Sequence, residues 1–174
     1  MSLWLSAIIF IPTIGALLLL AMPSSSGRTI RTVTFGVMLL DFLVSLPLFF
    51  RFDANTAAFQ FIEKTPWVES LGISYHLGVD GISLLLVLLT TFLGPVVVLG
   101  SSGIQKHLKG YFISMLVLQT GMIGTFLALD LFLFYIFWEV MLIPMYFLIG
   151  IWGGIERIYA AVKFFIYTLS LIHI

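Results

Sequence analysis

The sequence has 174 residues, of which 61% are apolar and only 9% are charged, whereas a soluble domain carries about 25% charged residues. This composition excludes a soluble fold. Eight basic and eight acidic residues cancel, so the net charge favours neither nucleic acid nor an anionic surface as a partner. Cysteine is absent, which excludes disulfides, thiolate metal ligands and iron–sulfur ligation by this chain.

Long apolar runs predict an all-α, polytopic transmembrane helix bundle of about six spans, because roughly 20 apolar residues cross the hydrocarbon core. The predicted spans cover residues 3–22, 32–50, 81–99, 111–129, 131–152 and 158–174. We expect the sixth span to be truncated. The first run is longer than the apolar part of a signal peptide and no Lys or Arg precedes it, so we expect a retained first helix.

The segments between the spans are short except for residues 51–80, which form the longest predicted extramembrane loop. Residues 67–77 partly alternate and carry Gly72 at a turn position, which is compatible with either a short hairpin or an interfacial segment. Asp130 is the only charge between the fourth and fifth spans. These two helices are therefore expected to pack as a tight antiparallel pair.

The distribution of Lys and Arg between alternate loops predicts the orientation. Five lie on one side and two on the other: Arg28, Arg31, Lys106, Lys109 and Arg157 against Arg51 and Lys64. Since cytoplasmic loops carry the excess of basic residues, the N-terminus is predicted outside.

The last six residues, 169–174, match the translation of a transposon-end adapter used in sequencing libraries. We expect them to be an assembly scar. The native sequence would then end near Thr168, and His173 would have no function.

Glu139 is the first candidate functional residue, because it lies about nine residues into an apolar span with no partner charge within a turn. Hydrocarbon disfavours the ionised carboxylate, and a carboxyl that can be neutral or charged is what a proton relay requires. The alternative is a neutral Glu that only hydrogen-bonds a neighbouring helix. Pro144 cannot donate to the carbonyl of Val140, which frees a backbone acceptor beside Glu139.

Three further charged residues are secondary candidates. Asp41 lies at mid-span among leucines, and function and structural packing are both open for it. Lys163 lies two turns into the sixth run, where snorkelling or packing is favoured over a pairing with a carboxylate. Asp130, like Asp80, stands at a span entrance, where capping of the helix N-terminus is the default interpretation.

No metal site, phosphate loop or dinucleotide fingerprint is indicated. His76 and His107 lack a second His, Cys or acid at metal-ligand spacing, and the glycines do not lie between a strand and a helix. We expect the four tryptophans mostly to form an aromatic belt, and Gly121 and Gly124 to form a small-residue packing face.

Two long stretches are similar to one family of membrane proteins. They are HLGVDGISLLLVLLT at residues 76–90, and LALDLFLFYIFWEVMLIPMYFLIGIWGG at residues 127–154 followed by AAVKFFIYT at residues 160–168. These stretches resemble the antiporter-like chain M of bacterial NADH–quinone oxidoreductase (complex I), equivalent to mitochondrial subunit 4. Sister chains and multi-subunit cation/proton antiporters share the Val-Asp-Gly entrance and the Trp-Glu pair. The residues from Pro144 to Leu148 favour chain M.

The resemblance implies a proton-translocating membrane-arm subunit, seen here as its N-terminal part. Glu139 would be the essential carboxylate, paired with a Lys on a later helix beyond residue 174. This chain would hold no cofactor, since NADH, quinone, flavin and iron–sulfur clusters would lie elsewhere in the complex. Its expected partners are the other membrane-arm subunits and the lipid bilayer, in the bacterial inner membrane. The alternatives are a subunit of a cation/proton antiporter or membrane-bound hydrogenase, and a scaffold in which Glu139 never titrates.

Overall fold

The structure, a computed structural model, describes residues 3–24 and 26–172. The helices are α1 (Trp4–Ala21), α2 (Gly27–Arg51), α3 (Gly81–Gly100), α4 (Leu108–Leu127), α5 (Leu131–Trp152) and α6 (Arg157–Ile172), with strands β1 (Gln60–Val68) and β2 (Ile73–Val79) between α2 and α3. Within the described ranges, α1 to α5 are long and apolar enough to cross a membrane, and α6 has 16 residues. The predicted all-α polytopic bundle is confirmed. Residues 173 and 174 of the suspected scar lie outside the described residues.

Two helices begin earlier than predicted because their first turns contain basic residues that were assigned to loops. Helix α2 starts at Gly27 rather than near residue 32. Its Arg31 donates from Nη1 to the carbonyl oxygen of Ser102 (2.8 Å) and from Nη2 to that of Ile104 (2.5 Å). Lys109, at the start of α4, likewise donates to the carbonyl of Met22 (2.7 Å). At this end of the bundle, long cationic side chains thus donate hydrogen bonds to otherwise unpaired carbonyl groups of neighbouring segments.

Helix α4 lies at the centre of the bundle. It packs against α1, α2, α3 and α5, while α6 packs on the far side of α5. Two apolar clusters fill the interior. The first lies toward the hairpin and contains Leu5, Ile8, Leu48, Val87 and Ile123 among others. The second lies toward the basic end and contains Leu19, Ile30, Met38, Val98, Phe112 and Leu116 among others.

The segment between α2 and α3 is an antiparallel hairpin, which decides between the two alternatives left open by the sequence. Strand β1 pairs with β2 in one sheet, and the turn ends at Gly72 with φ 68°. This left-handed conformation favours glycine, which has no Cβ to clash. A register irregularity between Gln60 and Glu63 accompanies the burial of Glu63, which is 4% exposed.

The Glu63 carboxylate fastens the hairpin to the N-terminus of α1. Its Oε1 accepts from the backbone N–H of Leu5 (2.7 Å), and its Oε2 accepts from the N–H (3.2 Å) and Oγ (2.5 Å) of Ser6. The first N–H groups of a helix have no partner within the helix and carry partial positive charge, so a carboxylate there is stabilising. Tyr75 shares the Ser6 hydroxyl at 2.9 Å. Burial raises the pKa of Tyr75, the hydrogen bond with Ser6 opposes that shift, and the Glu63 charge adds to it.

We predict that Glu63→Ala destabilises the chain by about 2 kcal/mol, since two buried backbone donors lose their charged acceptor. This corresponds to a fall in Tm of roughly 5 °C for a chain of this size. Thermal unfolding in detergent micelles measures it. Glu63→Gln should cost less because its amide oxygen still accepts a hydrogen bond. Glu69→Ala, at an exposed turn position, is the matched control, and an equal loss in that variant would refute the capping role.

Candidate functional site

Helix α5 holds the candidate site at its middle, because the helix is capped at one end and apolar along its length. The Asp130 carboxylate accepts from the backbone N–H groups of Phe132 (2.9 Å) and Leu133 (3.3 Å), which starts the helix. Glu139 is the ninth of the 22 residues of α5, about 12 Å along the axis from its first residue. The carboxyl therefore lies well away from either helix end.

The Glu139 carboxyl has unfilled hydrogen-bonding capacity. Its Oε1 atom is buried and has no hydrogen-bond partner among the described residues, and the same holds for Nε1 of the adjacent Trp138. The Tyr135 hydroxyl, one turn earlier on α5, interacts with the carboxyl. Buried polar groups in proteins are nearly always paired, so two unpaired atoms on adjacent residues indicate a site that a further group completes.

A third unpaired group, a backbone acceptor, follows from the sequence of α5 itself. Pro144 is a buried residue inside the helix, and it has no N–H to donate to the carbonyl of Val140. In a span such a carbonyl is tolerated when a neighbouring helix, a side chain or an ordered water can bond to it. The middle of α5 therefore presents a carboxyl, an indole N–H and a backbone carbonyl within two turns.

A cleft of about 770 Å³ runs along α5 from the hairpin toward this site. Gly72 and Ile73 of the turn line one side, and Asp130, Tyr135 and Trp138 line the other. The lining is mostly aromatic and aliphatic, with the Asp130 carboxylate at the outer end. The cleft thus connects the capped end of α5 with the residue that precedes Glu139.

The expected tight packing of α4 on α5 is present and depends on two glycines. A Cβ at Gly121 would come within 3.0 Å of the backbone nitrogen of Met141, and one at Gly124 would overlap the ring of Phe137. The pairs Gly121–Met141 and Gly124–Phe137 place Glu139 level with the α4 residues between the two glycines. The predicted packing role of this Gly-Met-Ile-Gly stretch is confirmed.

Asp41 is buried at the contact of α2 with α4 and does not meet Glu139. It is 0% exposed, its Oδ2 accepts from Nε2 of Gln119 at 2.7 Å, and its Oδ1 is buried without a hydrogen-bond partner among the described residues. Gly94 of α3 provides the space for this amide, since a Cβ there would come within 2.5 Å of Gln119 Oε1.

Asp41 belongs to a polar layer that separates the two apolar clusters, and the sequence analysis missed the other members. Ser45 Oγ and Thr91 Oγ1 are hydrogen-bonded at 2.9 Å, and Thr13 Oγ1 and Thr120 Oγ1 at 2.8 Å. Gln119 is 2% exposed. These side chains are neutral, so a selection of charged residues overlooks them. A search for Ser, Thr and Gln at equal depth on successive spans would have found them.

Asp130 and Asp80 have the capping geometry that was expected for them. Asp80 accepts from the N–H of Ser83 at 2.7 Å, and the N–H of Asp80 donates to the Ser83 hydroxyl oxygen at 2.9 Å. Asp130 also accepts from Ser74 N of β2 at 2.9 Å. The N–H of Ser74 lowers the pKa of Asp130, as that of Ser83 lowers the pKa of Asp80. Since both folded pKa values are depressed, these caps are complete at neutral pH and are lost as the pH falls through the folded values.

Lys163 contacts two tyrosine rings of its own helix. The residue is exposed on α6, and its Nζ lies 5.6 Å from the ring centroid of Tyr159 and 5.7 Å from that of Tyr167. These distances are within the range of cation–π attraction. The cation is thus held along its own helix.

Comparisons with known proteins match part of the chain to a family of membrane proteins. Residues 128–170, which include α5 and Glu139, match the family model described as "NADH:quinone oxidoreductase/Mrp antiporter, TM". The chain is similar to members of this family. It is 48% identical over 168 residues to subunit M of NADH-quinone oxidoreductase from Rhodobacter capsulatus, covering 94% of this chain and 32% of that one. The predicted resemblance is confirmed.

Two other similarities agree with this match. The chain is 47% identical over 167 residues to NADH-ubiquinone oxidoreductase chain 4 of Arabidopsis thaliana, covering 95% of this chain and 34% of the relative. The fold matches a chain of respiratory complex I from Thermus thermophilus with a TM-score of 0.74 and 28% identity, covering 95% of this chain and 33% of that one. This multi-pass membrane chain therefore spans about a third of the length of the relatives it matches.

We predict that Gly124→Ala separates α4 from α5 and destabilises the chain by about 1–3 kcal/mol, the usual cost of overpacking a filled interface. Thermal unfolding in detergent measures the loss. Gly36→Ala is the matched control, because a Cβ at Gly36 meets nothing within 4 Å. A Gly124→Ala variant as stable as Gly36→Ala would contradict the close packing of α4 on α5.

Proposed function

We propose that this chain is part of a proton-translocating membrane-arm subunit of a respiratory NADH–quinone oxidoreductase, and that Glu139 carries the proton. The observation that carries the proposal is the buried, unpartnered Oε1 of Glu139 in the middle of a membrane span. An ionisable group at such a depth is costly, and membrane proteins retain such groups chiefly along ion and proton paths.

The surroundings of Glu139 suit a change of protonation state. A neutral Glu needs an acceptor for its O–H, and the freed carbonyl of Val140 and the Tyr135 hydroxyl are both within two turns on α5. An ionised Glu needs a donor, and the Trp138 N–H is unpaired. Groups that could serve each protonation state thus lie on the same stretch of α5 as the carboxyl.

The driving energy would come from quinone reduction elsewhere in the assembly. By its resemblance to chain M, Glu139 would pair with a Lys outside the described residues, and an approaching charge would shift the proton between the two. We propose that the chain itself performs no covalent or redox chemistry. NADH, quinone, flavin and iron–sulfur clusters would be bound elsewhere in the complex, and the partners of this chain would be the other membrane-arm subunits.

Glu139→Gln tests the proposal in an assembled enzyme. This chain would replace the segment of R. capsulatus subunit M that it matches, and the chimeric complex would be assayed in inverted membrane vesicles. We expect Glu139→Gln to lower NADH-driven acidification of the vesicles at least several-fold, because Gln keeps the size but cannot titrate. Glu139→Asp should retain part of the activity.

Two controls make the result interpretable. Glu69→Gln changes an exposed acid in the hairpin turn and should leave acidification unchanged. Native gel electrophoresis checks that each variant assembles. If an assembled Glu139→Gln complex acidified vesicles as fast as the unsubstituted chimera, the scaffold interpretation would replace this proposal.

A cation/proton antiporter or a membrane-bound hydrogenase subunit is the second candidate, since the matching family description names the Mrp antiporter as well. It would use the same Glu139 with a different driving reaction. The identity of 47–48% to chains named as NADH oxidoreductase subunits favours the first candidate. Sequencing of the neighbouring genes distinguishes the two, because antiporter or hydrogenase subunits beside this gene would support the second.

We further propose a bacterial inner-membrane location with the N-terminus outside. Hydrogen bonds from Arg31 and Lys109 join the α1–α2 turn to the α3–α4 connection, and the hairpin lies at the opposite end. Cysteine can be introduced singly because the chain has none. In intact cells we predict that an impermeant maleimide labels Glu69→Cys but not Ser102→Cys, and the reverse labelling would overturn the orientation.

A further inference from the structure

Asp41 is a second buried acid among the spans, and the role proposed for Glu139 does not involve it. It is 0% exposed, in the layer that divides the two apolar clusters. One carboxyl oxygen accepts from the Gln119 amide at 2.7 Å and the other is buried and unpartnered among the described residues. A structural acid normally has both oxygens bonded, as Glu63 does, so the arrangement at Asp41 requires a different explanation.

Charged side chains do not face Asp41 from any helix packed against it. Helices α1 and α3 contain no Asp, Glu, Lys, Arg or His. On α2, Arg31 and Arg51 each lie ten residues away, about 15 Å along the axis. The charged residue of α4, Lys109, is ten residues before Gln119 and bonds to the end of α1. The titratable Tyr111 of α4 is bonded to Ser101 at 3.0 Å.

An ionised carboxylate in this position would have one amide donor and no counter-charge. Taking such a charge out of water is far costlier than burying the neutral acid, which needs only an acceptor for its single O–H. Burial therefore favours the protonated acid as the resting form of Asp41. The Gln119 amide can donate to either form, so the side chain stays in place when the proton leaves.

Neutral hydroxyl groups lie one turn from Asp41 on the side of the hairpin. Ser45 lies one turn further along α2, and its hydroxyl is hydrogen-bonded to that of Thr91 at 2.9 Å. Pro95 of α3 has no N–H for the carbonyl of Thr91, which leaves an acceptor one turn from Pro95. Hydroxyl groups both donate and accept, so a proton can enter one side of such a group while another leaves.

Asp41 and Glu139 lie at similar membrane depth on different sides of α4. Asp41 bonds Gln119, whereas Glu139 lies level with the residues between Gly121 and Gly124. The separation along α4 is about three residues, or roughly 4.5 Å. Two acids with one free oxygen each thus flank the central helix at the same level.

We propose that Asp41 is a second proton-exchanging site, which releases its proton to the Ser45–Thr91 hydroxyl pair and regains one during turnover of the complex. The O–H bond of Asp41 breaks as its proton passes to the Ser45 hydroxyl oxygen, the Ser45 proton passes to Thr91 Oγ1, and the Thr91 proton passes to a water molecule, which leaves as hydronium. The reverse transfers return a proton from water to the carboxylate. The carboxylate left behind is held by Gln119 until it is protonated again. The turnover part of this inference rests on the proposed proton-translocating function.

Infrared difference spectroscopy of the chimeric complex tests the site directly. Spectra would be recorded before and after addition of NADH, in H₂O and in D₂O, for the unsubstituted chimera and for Asp41→Asn. Asparagine keeps the shape and can still accept from Gln119, which favours assembly. We expect a carboxylic-acid C=O band that changes on NADH addition, moves to lower frequency in D₂O, and is lost in Asp41→Asn.

A second pair of variants separates exchange from burial alone. Ser45→Ala and Thr91→Val remove the neighbouring hydroxyls and should shift the Asp41 band while slowing its change after NADH addition. A band that is present but unaffected by NADH would overturn the proposal, because Asp41 would then be a permanently neutral structural acid. Absence of any band assigned to Asp41 would also overturn it.

The outcome for Asp41 can be distinguished from failure of the proposed function. Glu139→Gln in the same chimera reports on proton translocation by vesicle acidification, whatever the state of Asp41. Unaltered acidification in Glu139→Gln would contradict the function proposed for α5. Loss of acidification in Glu139→Gln together with a static Asp41 band would contradict only the second site.

Discussion

The hydrocarbon interior cannot solvate charge, and this constraint accounts for the placement of nearly every polar group in the chain. At the helix ends, charged groups form structural hydrogen bonds. Arg31 and Lys109 donate to carbonyl groups at one end of the bundle. Glu63 and Asp130 accept from backbone N–H groups at the other end. These contacts satisfy orphan backbone groups that water would otherwise have to reach. Between the ends, polar side chains occur mostly as neutral hydroxyls and an amide, which cost little when paired.

The two mid-span acids, Asp41 and Glu139, differ from these groups, because each has a buried carboxyl oxygen without a hydrogen-bond partner among the described residues. Glu139 lies on α5, next to an unpaired indole N–H. Asp41 lies on α2 with one amide partner. Helix α4 separates them and approaches α5 closely through Gly121 and Gly124. The same helix packs against both of the helices that carry these acids, and its glycines set how near α5 can come.

The sequence predicted the fold well because a bilayer imposes a simple rule on it. About 20 apolar residues make a span, and the helices of the structure begin or end within a few residues of the predicted spans, with Gly27 of α2 as the largest departure. That departure arose because the charges of the first turn were assigned to a loop, whereas their side chains reach neighbouring carbonyls. The hairpin was left open because residues 67–77 alternate only partly, and Glu63 received no role because its partners, Leu5 and Ser6, are distant in sequence.

Some residues of the candidate site could be predicted from the sequence, and others could not. Glu139 and Asp41 stand out in the sequence because a lone acid in an apolar run is rare. Gln119, Ser45 and Thr91 do not, since neutral polar residues are common in spans and only the packing of α2, α3 and α4 brings them together. Lys163 was a candidate because of its position two turns into the sixth run. Tyr159 and Tyr167 lie four residues before and after it on α6, a spacing that already favours contact along its own helix.

The central claim is that depth in the membrane, rather than the presence of an acid on α5, assigns the proton-carrying role. The most direct test compares the two acids of this helix, Glu139 and Asp130, in the reconstituted chimeric complex. The number of protons moved per NADH oxidised would be measured in Glu139→Gln and Asp130→Asn proteoliposomes. The account predicts a lower ratio for Glu139→Gln and an unchanged ratio, with reduced thermal stability, for Asp130→Asn. An unchanged ratio in Glu139→Gln, or a loss confined to Asp130→Asn, would contradict it.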